Sequence, residues 1–165
     1  MKVCVVLLLV WCAGTPLAQQ KKQPSKEAWQ GSWEKYLDVI ASDGKVLDDA
    51  AAEGKHFAGR LITWEGRLGK VNADPNATSP PRMVPVYLPP RPVTSSKGIK
   101  DTADHVQVAV KESDFKKWKD ISEGSTIRFH ATMTARPIIA SFGGDNGMFL
   151  VVVSNGELEE VVHSK

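Results

Sequence analysis

The sequence predicts a mainly β protein: a five-stranded barrel with a short helix between its third and fourth strands, preceded by an N-terminal helical segment. Three observations lead to this fold class. Apolar and polar residues alternate in several segments after residue 60, which is the period of a half-buried strand. Within that region only residues 113–121 have helical spacing. Five strands in one sheet leave edges to protect, and closure into a barrel removes them.

The first 18 residues are typical of a secretory signal peptide. Lys2 precedes an unbroken apolar run from Val3 to Ala13, and small residues follow before the polar stretch QQKK. The run is too short to cross a bilayer as a helix. We therefore predict a secreted or periplasmic protein, cleaved after Ala18 or Gly14, with no membrane span in the mature chain. The alternative is an uncleaved N-terminal anchor.

Cysteine usage and charge limit the chemistry. Cys4 and Cys12 both lie in the predicted signal peptide, so the mature chain would contain no disulfide, catalytic thiol or cysteine-bound metal. Lipidation of Cys12 is disfavoured because Trp11 precedes it. The chain has 21 Lys and Arg against 19 Asp and Glu. Such a balance argues against tight non-specific binding of nucleic acid, although not against a local basic patch.

The N-terminal part of the mature chain is predicted to be helical after a polar lead-in. Residues 19–31 are rich in Gln, Lys, Pro and Ser and are predicted to be disordered. The helical segment covers residues 32–55, with a second short helix from about 45 to 53. Ser32 is a suitable N-cap. The apolar residues of the first helix share one helical face: Trp33, Tyr36, Leu37 and Ile40.

The barrel is assigned to residues 56–162. The sequence predicts its first strand more clearly than its second. The segment RLITWEGRLGKV alternates cleanly, and Gly66 within it permits a bulge. After a loop at 72–82, the run MVPVYLPP lies among prolines, so it can only be a short or edge strand. Residues 91–104, RPVTSSKGIKDTAD, are expected to form a second long loop.

The remaining strands surround one amphipathic helix. HVQVAVK is the third strand, and Ser113 can cap a helix that ends before Gly124. The apolar side of this helix is formed by Phe115, Trp118 and Ile121. We predict that it closes one end of the barrel. TIRFHATMTA and MFLVVV are the fourth and fifth strands, joined by the turn FGGDNG, and SNGELEEVVHSK trails beyond them.

This order resembles the OB-fold. HVQVAVKESDFKKWKDISEGSTIRFHATM is similar to the third strand, helix, glycine and fourth strand of that fold, and FAGRLITWEGRLGKV to its first strand. More narrowly, the pattern resembles the tRNA-anticodon-like OB domains of secreted and envelope-attached bacterial proteins. The resemblance covers roughly residues 56–162 and brings no catalytic signature. An SH3-like barrel, the alternative, would place its helical turn before the last strand.

A basic stretch is the candidate binding site. From Pro75 to Lys100 the chain has four cations and no acid. The candidate ligand-binding residues are Arg82, Tyr87, Arg91, Lys97 and Lys100. The resemblance implies that a ligand lies across the second and third strands. Basic residues around an aromatic ring suit an anionic or stacked ligand, such as single-stranded nucleic acid or an oligosaccharide. The alternative is a solvated loop with Tyr87 in the core.

No motif predicts an enzyme. The sequence lacks G-x-S-x-G, a P-loop and H-E-x-x-H, and its four histidines have no metal-site spacing. We therefore expect a non-catalytic binding module without a metal or cofactor, whose partner is an anionic polymer or an envelope protein. The alternative is a protein-interaction or envelope-structural role, in which the apolar face of the first helix binds a partner.

Overall fold

A computed structural model describes residues 28–40, 45–46, 56–71, 82–95, 98, 100–141 and 147–162. Its elements, in chain order, are α1 (Trp33–Ile40), β1 (Lys45–Val46), β2 (Leu61–Leu68), β3 (Arg82–Ser95), β4 (Lys100–Val110), α2 (Glu112–Lys119), β5 (Thr126–Ser141) and β6 (Gly147–Val161). The predicted signal peptide, the loop at 72–81 and the turn at 142–146 lie outside the described residues. Among the described residues, no helix is both long and apolar enough to cross a membrane.

Five strands form a closed barrel. The hydrogen-bonded order is β3-β2-β5-β6-β4, and β3 also pairs with β4 and closes the ring. Within the ring only the β4–β6 pair is parallel, with Val106 opposite Val151. The first barrel strand thus pairs with the second and fourth, and the third with the second and fifth, which is the predicted OB arrangement. The helix lies between the third and fourth barrel strands, so the SH3-like alternative is wrong.

The alternating strands provide the barrel core. On β2, Ile62, Trp64 and Leu68 are buried, and Trp64 lies directly opposite Phe129 of β5. The register of β2 with β5 continues through Gly66 without a bulge. A glycine is needed there for a different reason: an added Cβ would lie 2.6 Å from the Tyr87 carbonyl oxygen. Close approach of β3 therefore explains this glycine.

Helix α2 closes one end of the barrel, as predicted. Phe115 and Trp118 are buried, and the Trp118 ring lies 6.1 Å from that of Phe129 in an edge-to-face contact. The helix begins two residues earlier than expected. Lys111, not Ser113, is the N-cap residue, and its side chain makes no capping hydrogen bond. The terminus is instead favoured by acidic residues in the first turn, which complement the helix dipole.

Helix α1 packs on the barrel and does not present a free apolar face. Its predicted apolar residues are all buried. The Trp33 indole Nε1 donates to the Pro89 carbonyl oxygen at 3.0 Å, and the Trp64 indole donates to the Gly31 carbonyl oxygen at 3.0 Å. Ser32 is the predicted N-cap and accepts a hydrogen bond from the Lys35 N–H at 3.3 Å. The helix therefore packs beside the place where β2 and β3 separate.

Several segments differ from the sequence-based expectation. Residues 91–95 and 100–104, expected to be loop, are strand, because β3 and β4 continue as a hairpin in which Arg91 lies opposite Ala103. Strand β6 likewise continues through most of the segment expected to trail away. Residues 45–46 form a parallel strand with β3 instead of a helix. In the predicted lead-in, Trp29 packs edge-to-face on Phe57 at 5.0 Å. Tertiary strand pairing and aromatic burial override local composition in these places.

Candidate ligand-binding face

The outer face of β3 and β4 carries the exposed aromatic residue of the predicted site. Along β3, Val84, Val86 and Leu88 point into the barrel and are buried. The residues between them point outward, and Tyr87 is 44% exposed. The expectation that Tyr87 could belong to the core is therefore wrong, because its strand position directs the ring to solvent.

Tyr87 lies in the middle of a row that crosses three strands. Arg67 of β2 is directly opposite Tyr87, and Tyr87 is directly opposite His105 of β4. The Tyr87 and His105 rings are 5.8 Å apart and tilted by 45°. His105 Nδ1 lies 2.6 Å from Asp104 Oδ1. Arg67 is exposed and has no ion-pair partner among the residues that the structure describes. The row thus combines a stacking surface with an available cation.

Gly69 shapes the surface around Tyr87. A Cβ added to Gly69 would lie 2.7 Å from Tyr87 Cε2, so the ring rests against the backbone at that position. Tyr87 lines two shallow grooves, of about 270 and 260 Å³. Both grooves include Arg67; the first also includes Pro89 and Pro90, and the second Gly124. A planar group laid on Tyr87 would therefore have space beside the ring for its substituents, near Arg67 and near one carboxylate in each groove, Glu65 or Glu123.

Arg82 contacts helix α2. Its position on β3 has the same parity as the inward Val84, and its guanidinium lies 5.4 Å from the Phe115 ring centroid. Arg82 Nε donates to Glu112 Oε2 at 2.8 Å. The hydrogen bond to Arg82 lowers the pKa of Glu112. Arg82 lies five positions along the strand from Tyr87, about 17 Å away, and its side chain has the opposite strand parity, so the two do not share one contact surface.

Arg91 contacts helix α1 in a similar way. Its Nη1 donates to Asp38 Oδ1 at 2.5 Å and lies 3.5 Å from the Glu34 carbonyl oxygen. Lys100 is exposed near the end of the β3–β4 hairpin, opposite Thr94. Lys97 lies outside the described residues. The structure therefore does not bring the predicted basic residues together around Tyr87.

Sequence reasoning missed Arg67 and His105 as neighbours of Tyr87. Strand alternation could have placed both side chains outward, since Ile62 and Val106 begin the inward series on their strands. Their contact with Tyr87 depends on register between strands that are far apart in the chain. No local pattern reports that register.

Beside this row, the outer face of β2, β5 and β6 carries several glutamates. Arg128 of β5 donates to Glu160 and, at 3.2 Å, to Glu65, and the nearby negative charge of Glu160 raises the pKa of Arg128. His130 lies 3.4 Å from Glu159. Within the described ranges, no group of three or more His, Cys, Asp or Glu residues converges as a metal site. An anionic ligand would be repelled from this side.

Comparison with known proteins finds distant similarity only among solved structures. No family model matches, and no curated protein matches. A Klebsiella pneumoniae lipoprotein proposed to bind nucleic acid is 8% identical, with a TM-score of 0.47 over 81% of this chain and 92% of that one. The mitochondrial single-stranded DNA binding protein Rim1 of S. cerevisiae is 13% identical, with a TM-score of 0.37 over 65% and 99%. These values carry no argument about function, so the fold assignment rests on the strand pairing.

Proposed function

We propose that this chain is a non-catalytic binding module of the OB type, whose ligand lies on the outer face of β3 and β4. The observation that supports this most directly is Tyr87. Its ring is 44% exposed on the outer face of the barrel, where a planar unit of a ligand can stack on it. It lies between an exposed arginine and a second aromatic ring, on the face across which OB domains bind oligomers.

The proposed ligand is an anionic oligomer with planar or ring-shaped units, either single-stranded nucleic acid or an acidic oligosaccharide. Stacking on Tyr87 supplies the larger part of the affinity, because Arg82 and Arg91 are already held by carboxylates of the two helices. Arg67 supplies the adjacent charge, and Lys100 extends the site toward the end of the hairpin; Lys97 stays a candidate from the sequence alone. An oligomer bound in this way would show modest salt dependence.

Binding can be measured by fluorescence anisotropy with a labelled oligothymidine of about 15 nucleotides and a labelled heparin fragment. We expect Tyr87→Ala to weaken binding by about 1–3 kcal/mol, the usual contribution of stacking on one base. Tyr87→Phe should keep most of the affinity. Val39 is the matched control, because it is an equally exposed apolar residue (41%) on α1 and not on β3 or β4; Val39→Ala should leave binding unchanged.

Charge is tested separately from stacking. Arg67→Ala should lower the slope of log affinity against log salt by about one. Removing Arg82 and Arg91 together should lower this slope by less than roughly two, the change expected if each arginine contacted a phosphate. If neither probe is retained at about 20 mM salt, where screening is weak, the proposal fails. If Tyr87→Ala lowers stability without changing binding, the ring has a structural role only.

We also propose that the protein is exported and belongs with the tRNA-anticodon-like OB domains of bacterial envelopes. The support is the apolar run before residue 19 and the pattern of the third strand, helix and fourth strand. Mass spectrometry of exported protein should show a start at or near Gln19 and a loss of about 2 kDa. An intact Met1 species in the membrane fraction would contradict export by cleavage.

A protein-binding role is the second candidate. Its original basis, a bare apolar face on α1, is absent because that face is buried against the barrel. A different feature, an incompletely paired strand beside α1, favours it.

A further inference from the structure

The β2–β3 ladder ends early, and prolines explain why. The two strands pair only where Arg67 meets Tyr87 and Leu68 meets Val86. Continuing that register would place Glu65 opposite Pro89. Proline has no N–H to donate, and the Pro89 carbonyl oxygen already accepts the Trp33 indole. The ladder therefore cannot continue, and β2 keeps an open edge within the barrel wall.

The main-chain groups that face this opening can be identified from the alternation of hydrogen bonds. Even-numbered residues of β2 bond toward β5: the Leu68 N–H donates to the Ser125 carbonyl oxygen at 2.9 Å. Odd-numbered positions bond to the other side: the Leu61 carbonyl oxygen accepts the Trp29 N–H at 2.7 Å. The N–H and C=O groups of Thr63 and Glu65 therefore point into the opening.

Those groups have no main-chain partner among the described residues on the β3 side. They provide two donors and two acceptors, repeated at a strand spacing of about 7 Å. This edge of β2 can pair with an extended segment, because Ala28 forms a parallel bridge with Leu61, the first residue of the strand. The chain leaves the edge after that bridge in order to enter α1.

A groove of about 320 Å³ follows the open edge. Its walls include Gln30, Ser32, Glu34, Thr63, Glu65 and Pro89. The described residues that line it include the carboxylates of Glu34 and Glu65 and no cation; Arg128, which bonds to Glu65, is not among them. This lining disfavours an anionic polymer and favours a basic segment. This groove shares Glu65 and Pro89 with the groove beside Tyr87, but its described lining contains no arginine.

We propose that the Thr63–Glu65 edge of β2 binds an extended, basic peptide segment of a partner protein by strand addition. The peptide backbone supplies the alternating donors and acceptors that β3 cannot supply, and Lys or Arg side chains of the peptide face Glu34 and Glu65. This inference goes beyond the proposed oligomer binding at Tyr87 and does not depend on it.

The premise is tested on the unmodified protein by amide hydrogen exchange followed by NMR. We expect the Thr63 and Glu65 amides to exchange at least about tenfold faster than those of Ile62 and Trp64, which bond to β5. Equal protection of all four amides would overturn the inference, because it would mean that the edge is already paired.

Binding is tested with the heptapeptide Lys-Thr-Val-Thr-Val-Thr-Lys at millimolar concentration. We expect it to slow exchange of the Thr63 and Glu65 amides and to shift their resonances. A peptide with proline at its third and fifth positions has the same charge but cannot form the ladder, and a peptide with Glu in place of Lys has the reverse charge; both should bind at least about tenfold more weakly. Equal binding of the proline peptide would overturn strand addition.

Two variants distinguish this site from the Tyr87 face. Glu65→Pro removes an N–H that faces the groove and leaves the bonds to β5 in place, so it should weaken the heptapeptide at least about tenfold. Tyr87→Ala should leave heptapeptide binding unchanged, whatever its effect on oligothymidine. If oligothymidine, not the heptapeptide, protects the Thr63 and Glu65 amides, the edge belongs to a nucleic-acid site and the inference fails.

Discussion

Removal of the Trp118 side chain is the sharpest test of how the barrel is closed. The residue has no exposed surface, and its ring packs against Phe129 inside the barrel. Truncation of a fully buried tryptophan to alanine leaves a large cavity and costs about 3–5 kcal/mol. For a chain of this size, the same change lowers Tm by roughly 6–20 °C. We expect Trp118→Ala to reach this range.

The indole N–H of Trp118 makes a second variant informative. This nitrogen is buried without a hydrogen-bond partner in the described structure. An unpaired buried donor costs about 1–3 kcal/mol, and phenylalanine removes the donor while keeping much of the ring. We therefore expect Trp118→Phe to lower the free energy of unfolding by only about 1 kcal/mol or less.

Urea unfolding followed by circular dichroism measures both effects. Lys117 is the matched control, because it is 69% exposed on the same helix and makes only a surface ion pair with Asp114. Lys117→Ala should change stability by less than about 0.5 kcal/mol. Equal and small effects of Trp118→Ala and Lys117→Ala would show that α2 does not close the barrel. A Trp118→Phe variant as unstable as Trp118→Ala would mean that the indole N–H has a partner.

Three further predictions concern other parts of the barrel. Gly156→Ala should destabilise the protein by about 1–3 kcal/mol, because the new Cβ would lie 2.1 Å from Val108 Cγ1; combining it with Val108→Ala should recover part of the loss in urea melts. Asn155 has φ 52°, so Asn155→Ala should cost about 1 kcal/mol, whereas Asn155→Gly should be near neutral. The pKa of Glu112 is lowered below 4.5 in the folded state by Arg82, so its contribution to stability is present above about pH 4.5 and is lost as pH falls through the folded value. Glu112→Gln should lack this part of the acid dependence, measured by denaturation at pH 6 and pH 3; an unchanged dependence would contradict the assignment.

Much of the barrel could be predicted because its strands bury one face. In β2 and β5 the alternation of apolar and polar residues specifies which side chains point inward, and the structure confirms Trp64 and Phe129 as core. The amphipathic spacing of α1 and α2 is equally local, since helix period and side-chain polarity are read from a few residues. Burial of Trp33 and Trp118 follows from these patterns.

The β3–β4 hairpin could not be predicted in this way. Its residues include several prolines and small polar residues, which are typical of loops. The strands continue because each provides main-chain partners to the other beyond the register shift at Tyr87, with Val93 opposite Asp101. Asp101 also accepts the Phe149 N–H at 2.5 Å and so connects the hairpin to β6. Partners distant in sequence decide this part of the fold.

The candidate site, too, could be predicted from the sequence only in part. From the sequence alone one could infer a mainly β barrel, its capping helix and an aromatic residue within a basic stretch, because periodicity and composition are local properties of the chain. Only the tertiary structure shows that Arg82 and Arg91 are paired with carboxylates of α2 and α1, and that Arg67 and His105 are the neighbours of Tyr87. The physical reason is that charge pairing and cross-strand contact depend on distances between residues far apart in the chain, and those distances exist only after the barrel has closed.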